Sequence, residues 1–156
     1  VKMKKILSLL ILTILLGSCG FKIIKPNKYS QINIQNIEIK GNKNISFLLK
    51  NSILLNSNEN SKNIYDVTIE LKKNKINKIK DGSGKTKRVN VSITANLNLK
   101  EINRQNSINR KFEKNADYDV AKNHSDTINN EKIIDKNLIE QLSDDIISFI
   151  TLVILN

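Results

Sequence analysis

The clearest pattern in the chain is an unbroken alternation with a period of two. Val89, Val91, Ile93, Ala95, Leu97 and Leu99 share one parity, and Asn90, Ser92, Thr94, Asn96 and Asn98 the other. Successive side chains of a strand point to opposite faces, so this run predicts a strand with one dry and one wet face. Tyr65, Val67, Ile69 and Leu71 alternate against Asp66, Thr68 and Glu70. That strand is expected to continue past Ile76 to Ile79. Asp81-Gly82-Ser83-Gly84 between the two runs carries turn chemistry. A polar turn at Asn103 to Asn106 leads to a third run, in which Ile108, Phe112, Ala116, Tyr118 and Val120 share a parity with Arg110 and Lys114. Three strands joined by turns predict an antiparallel meander.

The flanking segments change period. Ile32 and Ile34 alternate, then Ile37 and Ile39 on the opposite parity, which predicts a first strand with a bulge near Asn36. Gly41-Asn42 ends it. Residues 44–56 place Ile45, Leu48, Leu49 and Ser52 at helical spacing, with Asn44 as candidate N-cap. At the C-terminal end Ile134, Leu138, Leu142, Ile146, Ile150 and Val153 fall on one helical stripe that also carries Phe149; Ser125 and Asp126 are the candidate caps. The apolar stretch Ile146 to Leu155 either completes the core or contacts a partner, and it is too short to span a bilayer. The order β-α-β-β-β-α predicts an α+β two-layer sandwich: a four-stranded, mainly antiparallel sheet with two helices on one face.

The N-terminus follows another logic. Lys2, Lys4 and Lys5 precede an apolar run, Ile6 to Leu16, broken only by Ser8 and Thr13. A basic start, a short apolar run and small residues beyond it are the layout of a secretory signal. Leu16-Gly17-Ser18-Cys19 resembles the lipobox cut by lipoprotein signal peptidase. Residues 1–18 are therefore expected to be removed and Cys19 to be the lipid attachment site. Triacylation there, as in bacterial lipoproteins, would anchor the chain firmly, because stable anchoring takes more than one acyl chain. Gly20 after the cysteine fits onward transport to the outer membrane. Residues 19–30, with Pro26, read as a linker, and 31–156 as a single domain.

Composition narrows the chemistry. Cys19 is the only cysteine and His124 the only histidine, which excludes an internal disulfide and a cysteine-based zinc site. His124 is expected in a solvated loop, and no nucleophile or acid/base pair accompanies it. The reading is of a protein with no catalytic residue, no metal site and no cofactor. Loss of the three N-terminal lysines reduces 26 Lys and Arg to 23 against 15 Asp and Glu. Such a surface attracts anions, and export removes nucleic acid from the candidates. Lys72, Lys73, Lys75, Lys78, Lys80, Lys85, Lys87 and Arg88 crowd the central hairpin. Two readings fit this cluster. One is phosphate binding; the other is protection of an exposed strand against edge-to-edge pairing.

Taken together, Cys19-Gly20-Phe21, the Tyr65–Leu71 strand, the Asp-Gly turn, Thr94-Ala95-Asn96 in its strand, and the Tyr118–Lys122 segment before the last helix resemble the LPS-assembly lipoprotein LptE family. The resemblance covers nearly the whole chain through order and spacing. It implies a non-enzymatic outer-membrane lipoprotein that plugs the LptD β-barrel, helps it assemble and binds lipopolysaccharide. It also implies two lipopolysaccharide-binding positions. Lys80, before Asp81-Gly82, matches a basic residue before the family's hairpin turn, with Lys where the best-known relatives have Arg. Lys122, after Ala121, matches a Lys that follows the last strand. Lys85, Lys87 and Arg88 join them on charge alone. The competing expectation is a generic periplasmic lipoprotein that binds peptidoglycan or another envelope assembly machine.

Overall fold

A computed structural model describes residues 32–104 and 106–155. The expected signal segment, Cys19 and the linker lie outside the described residues. The elements run β1 (Asn33–Lys40), α1 (Lys43–Leu54), β2 (Ile64–Lys80), β3 (Thr86–Glu101), β4 (Asn106–Asp119) and α2 (His124–Leu155). The sheet order is β1-β2-β3-β4. β2, β3 and β4 form the expected meander, and β1 pairs with β2 in parallel. The parallel pair follows from α1: a strand that returns to its neighbour through a crossover helix re-enters in the same direction.

Local chemistry sets the boundaries. The parity switch in β1 is absorbed by a register shift between Ile34 and Asn36, which leaves Gln35 as the extra residue. Gly41 then takes φ 140°, and a Cβ there would lie 2.5 Å from the Leu71 carbonyl oxygen. Only glycine combines that backbone with so close an approach. Asn42, not Asn44, caps α1: its side-chain oxygen accepts the Asn44 N–H at 3.0 Å. The buried stripe of α1 is Ile45, Leu49 and Ile53, whereas Leu48 is exposed and Ser52 half-buried. Four-residue steps track the helix face closely, and Leu48 is rotated off it.

The second helix starts earlier than Ser125 or Asp126 would have it. His124 is its first residue, and the Asn123 carbonyl accepts the Thr127 N–H at 3.2 Å. His124 is thus an exposed residue of the first helical turn, not a loop residue. Asp126 sits in that same turn, where a carboxylate complements the helix dipole. Leu138, Leu142, Ile146 and Ile150 form the buried stripe of α2 over the apolar sheet face. α2 covers β3 and β4, while α1 packs beside it over β1. Ile146, Ile147 and Ile150 complete the core, and Leu152 beyond them is 60% exposed.

Ile69, Val91, Ile93, Ala95 and Leu97 are essentially inaccessible at the centre of the sheet. The opposite face of the sheet is open and polar. Asn98 donates to Asn109 at 2.7 Å and to Ser107 at 2.9 Å, and Ser92 to Glu113 at 3.2 Å. No helix of the described residues is long and apolar enough to cross a membrane.

Candidate functional site

β1 pairs with β2 only as far as Lys40 opposite Glu70. From Leu71 to Lys80, β2 has no strand neighbour on that side among the described residues; on its other side lies β3, which is itself paired with β4 as far as Arg88 opposite Asp119. Lys72, Lys73, Lys75, Lys78 and Lys80 fall on this open strand, whereas Lys85 is in the turn and Lys87 and Arg88 are on β3. Strand edges invite pairing with other chains, and lysine blocks it, so edge protection describes much of the cluster. Most of its members are also ion-paired. Lys73 is only 15% exposed along its side chain; its Nζ lies 2.6 Å from Glu131 and 2.7 Å from Asp135 on α2. Lys75 joins Glu131 at 3.1 Å, and the Tyr118 hydroxyl donates to the same carboxylate at 3.3 Å. This clamp ties the free half of β2 to α2. Burial pushes the Lys73 ammonium down, but its hydrogen bonds to Asp135 and Glu131 outweigh that and hold it above its ordinary value. Burial pushes the Glu131 carboxyl up; the bonds from Lys73 and Lys75 reverse this and leave it below the usual range.

At the tip, Asp81 builds the turn. Its carboxylate accepts from the Ser83 hydroxyl at 2.6 Å and from the Ser83 and Lys85 N–H groups at 3.0 Å each. Those bonds, the Ser83 hydroxyl first, lower its pKa. Five residues were expected to bind phosphate, and they separate into two groups. Lys87 lies 3.6 Å from Asp81, and Arg88 Nε donates to Asp119 at 2.7 Å. Both cations therefore have carboxylate partners within the fold. Lys80, Lys85 and Lys122 are exposed and have no carboxylate partner among the described residues.

The topology brings these three to one end of the sandwich. Lys80 opposes Thr86 across the hairpin. The Val120 N–H bonds the Lys87 carbonyl at 2.8 Å, which sets the Ala121-Lys122 segment beside the start of β3. Ala121 is held by Thr127: its N–H donates to the threonine hydroxyl at 3.0 Å. Lys122 thus sits on a fixed corner between β4 and α2. The sequence concealed the sorting of paired from unpaired cations, because Asp117, Asp119, Glu131 and Asp135 lie far along the chain from their partners.

The domain's first described residue is at the other end. Ile32 accepts the Asn58 N–H at 2.7 Å, and Asn33 opposes Ile64 at the start of β2. Ile32 and the hairpin tip are therefore at opposite poles of the sheet.

No protein-family model matches the chain, and no curated protein matches it by sequence. Solved structures do match in shape. The rare lipoprotein B from Shewanella oneidensis aligns with a TM-score of 0.59 at 12% identity, over 78% of this chain and 97% of that one. Lipoprotein B from Nitrosomonas europaea gives 0.58 at 13% identity, over 82% and 88%. A minor lipoprotein from Acinetobacter baumannii gives 0.52 at 15% identity, over 78% and 91%. At such identities the likeness is one of fold: this chain has the α+β sandwich seen in these three bacterial lipoproteins.

Proposed function

We propose that the chain is a non-enzymatic outer-membrane lipoprotein, acylated at Cys19, that plugs and helps assemble an LptD-like β-barrel and binds lipopolysaccharide for delivery to the outer leaflet. The observation that carries this reading is the gathering of three cations without a carboxylate partner among the described residues, Lys80, Lys85 and Lys122, at the pole opposite Ile32. Lys80 and Lys122 are the two positions that the LptE resemblance implicates in lipopolysaccharide binding. The sequence sets them 42 residues apart; the fold brings them to one end. The phosphates of a lipid A headgroup attract several such ammonium groups at once. Lysine acts there as a point charge, without the two-pronged geometry of arginine. The open, amide-rich sheet face supports the plug role, since it suits a water-filled lumen.

The test of the partner is co-purification of the mature chain with the LptD-like barrel from detergent-solubilised outer membrane; a chain that leaves the barrel behind refutes it. Charge reversal at Lys80 and Lys122 is expected to weaken lipopolysaccharide binding about tenfold or more, a loss of ~1.4 kcal/mol or more. The fold should stay intact, because neither ammonium has a partner to lose. Unchanged binding removes both residues from the site.

A further inference from the structure

α1 is apolar on two sides. Ile45, Leu49 and Ile53 face the core. On the opposite side of the helix Phe47, Asn51, Leu54 and Leu55 follow at i, i+4, i+7 and i+8, which is a single stripe. This stripe faces water: Phe47 is 65% exposed and Leu55 85%. Asn51, Leu54 and Leu55 line a shallow hollow on it. Lys43 and Lys50 border the stripe along one side. Both are exposed and without an ion pair among the described residues, and α1 carries no Asp or Glu. Glu38 and Asp66 share a groove with Lys50 and have other partners: Glu38 pairs with Lys40 at 3.4 Å, and Asp66 accepts from Asn36 at 2.9 Å. The stripe ends beside the first described residues of the chain. The Ser57 N–H bonds the Leu54 carbonyl at 3.0 Å, the Ser57 hydroxyl accepts the Ile34 N–H at 3.0 Å, and the Asn58 N–H bonds the Ile32 carbonyl at 2.7 Å. Cys19 stands thirteen residues before Ile32, so a lipid on it is held no more than about 45 Å from this corner.

We propose that the outer face of α1 docks on an anionic lipid surface: Phe47, Leu54 and Leu55 enter the interface, and Lys43 and Lys50 meet the headgroup phosphates. The inference rests on acylation of Cys19 in the reading above and goes beyond it, because it concerns the membrane that carries the anchor and not the cargo. It describes the anchored chain outside a barrel, where α1 and the strands lie along the membrane. An apolar face edged with lysines is the pattern of helices that lie in a bilayer interface. Lysine stems lie along such a face while their ammonium groups stay in water. The anchor keeps the helix close to the bilayer, so docking becomes intramolecular and a face of three large side chains suffices. A second copy of the chain is the poorer occupant. A two-fold interface sets the same patch against itself, which brings four lysines together with no carboxylate of either helix to offset them.

The experiment uses the mature chain, purified from membranes and reconstituted in vesicles of phosphatidylethanolamine and phosphatidylglycerol. With Cys19 acylated, Asn51→Cys supplies the one free thiol and takes an environment-sensitive fluorophore in the middle of the stripe. Asn77→Cys, exposed near the far end of β2, is the control. Expected is quenching of the Asn51 label by spin-labelled lipid and its protection from iodide, with the reverse for the Asn77 label. Phe47→Gln/Leu55→Gln should move docking towards the undocked form by about tenfold or more, since burial of one large apolar side chain alone is worth that much. Phe47→Leu/Leu55→Met should keep the label protected. Lys43→Gln/Lys50→Gln should weaken protection on these vesicles and leave it unchanged on pure phosphatidylcholine. An Asn51 label as open to iodide as the Asn77 label, on a chain that floats with the vesicles, overturns the inference and leaves the anchored reading standing. Protection from iodide without quenching by lipid means that protein covers the stripe, and overturns it too. A chain that does not float with the vesicles refutes both.

Discussion

Replacing Lys73 by alanine tests what holds the half of β2 beyond β1 against α2. The ammonium lies between Glu131 and Asp135, and all three side chains are at most 23% exposed. Its removal leaves two carboxylates facing each other in a largely dry site. One oxygen of Asp135 already has no hydrogen-bond partner. Truncating one partner of a buried ion pair costs 3–5 kcal/mol, most of it the penalty of the stranded charge. Partial exposure and the continued presence of Lys75 at Glu131 reduce this to about 2 kcal/mol. For a domain of this size that corresponds to a fall in Tm of roughly 6–10 °C. The assay is thermal unfolding followed by circular dichroism at neutral pH and again near pH 4. The cost should shrink at the lower pH, where the stranded carboxylates can take up protons. Lys73→Met, which keeps the stem and removes the charge, should behave like the alanine variant. Lys80→Ala, which has no partner to lose, should stay within about 0.5 kcal/mol of the parent. A Lys73→Ala protein as stable as Lys80→Ala at neutral pH refutes the clamp.

Three further outcomes can be checked on the same material. Gly41→Ala places a Cβ against the Leu71 carbonyl in a left-handed backbone, so a loss of about 2 kcal/mol or more is expected in denaturant titration. Ser143 is fully buried in α2 with its hydroxyl unpartnered; Ser143→Ala should leave Tm unchanged or raise it, because a desolvated hydroxyl is removed and a better helix former introduced. Glu131 has a folded-state pKa below its unfolded value. Its contribution is therefore complete above about pH 4.3 and is lost as pH falls through the lower, folded value. Acid unfolding of Glu131→Gln should accordingly show a weaker pH dependence than that of the parent.

The meander was legible because its three strands keep one face dry and one wet, and period two survives any uncertainty about neighbours. The bulge in β1 was legible for the same reason, since a parity switch needs an extra residue. The direction of β1 lay in the crossover through α1 and not in the alternation, which says which face a residue occupies and nothing of which way its neighbour runs. The stripe of α1 was misread at Leu48 and Ser52 because, in a short helix, several apolar residues compete for a narrow seam and only packing against β1 and α2 selects Ile45, Leu49 and Ile53. At the candidate site, sequence located the cations but could not sort them. Ion pairing depends on register and on helix placement, so the burial of Lys73 and the freedom of Lys80 look alike in a lysine-rich run. One hint was present: Lys73 continues the core-facing parity of Ile69 and Leu71, where a charge requires a partner.

The separation of the two poles gives the strands a second meaning, as a ruler. β2 has 17 residues, and at ~3.3 Å each it extends about 55 Å. The hydrocarbon layer of a bilayer is only about 30 Å thick. Under the function proposed above, a molecule fastened at the near side and standing upright in a barrel holds its charged summit beyond the far side, so the number of rungs in the meander sets the height at which cargo is met. Removing two residues in register from each of β2, β3 and β4 would lower that height by about 7 Å without altering any side chain at the summit.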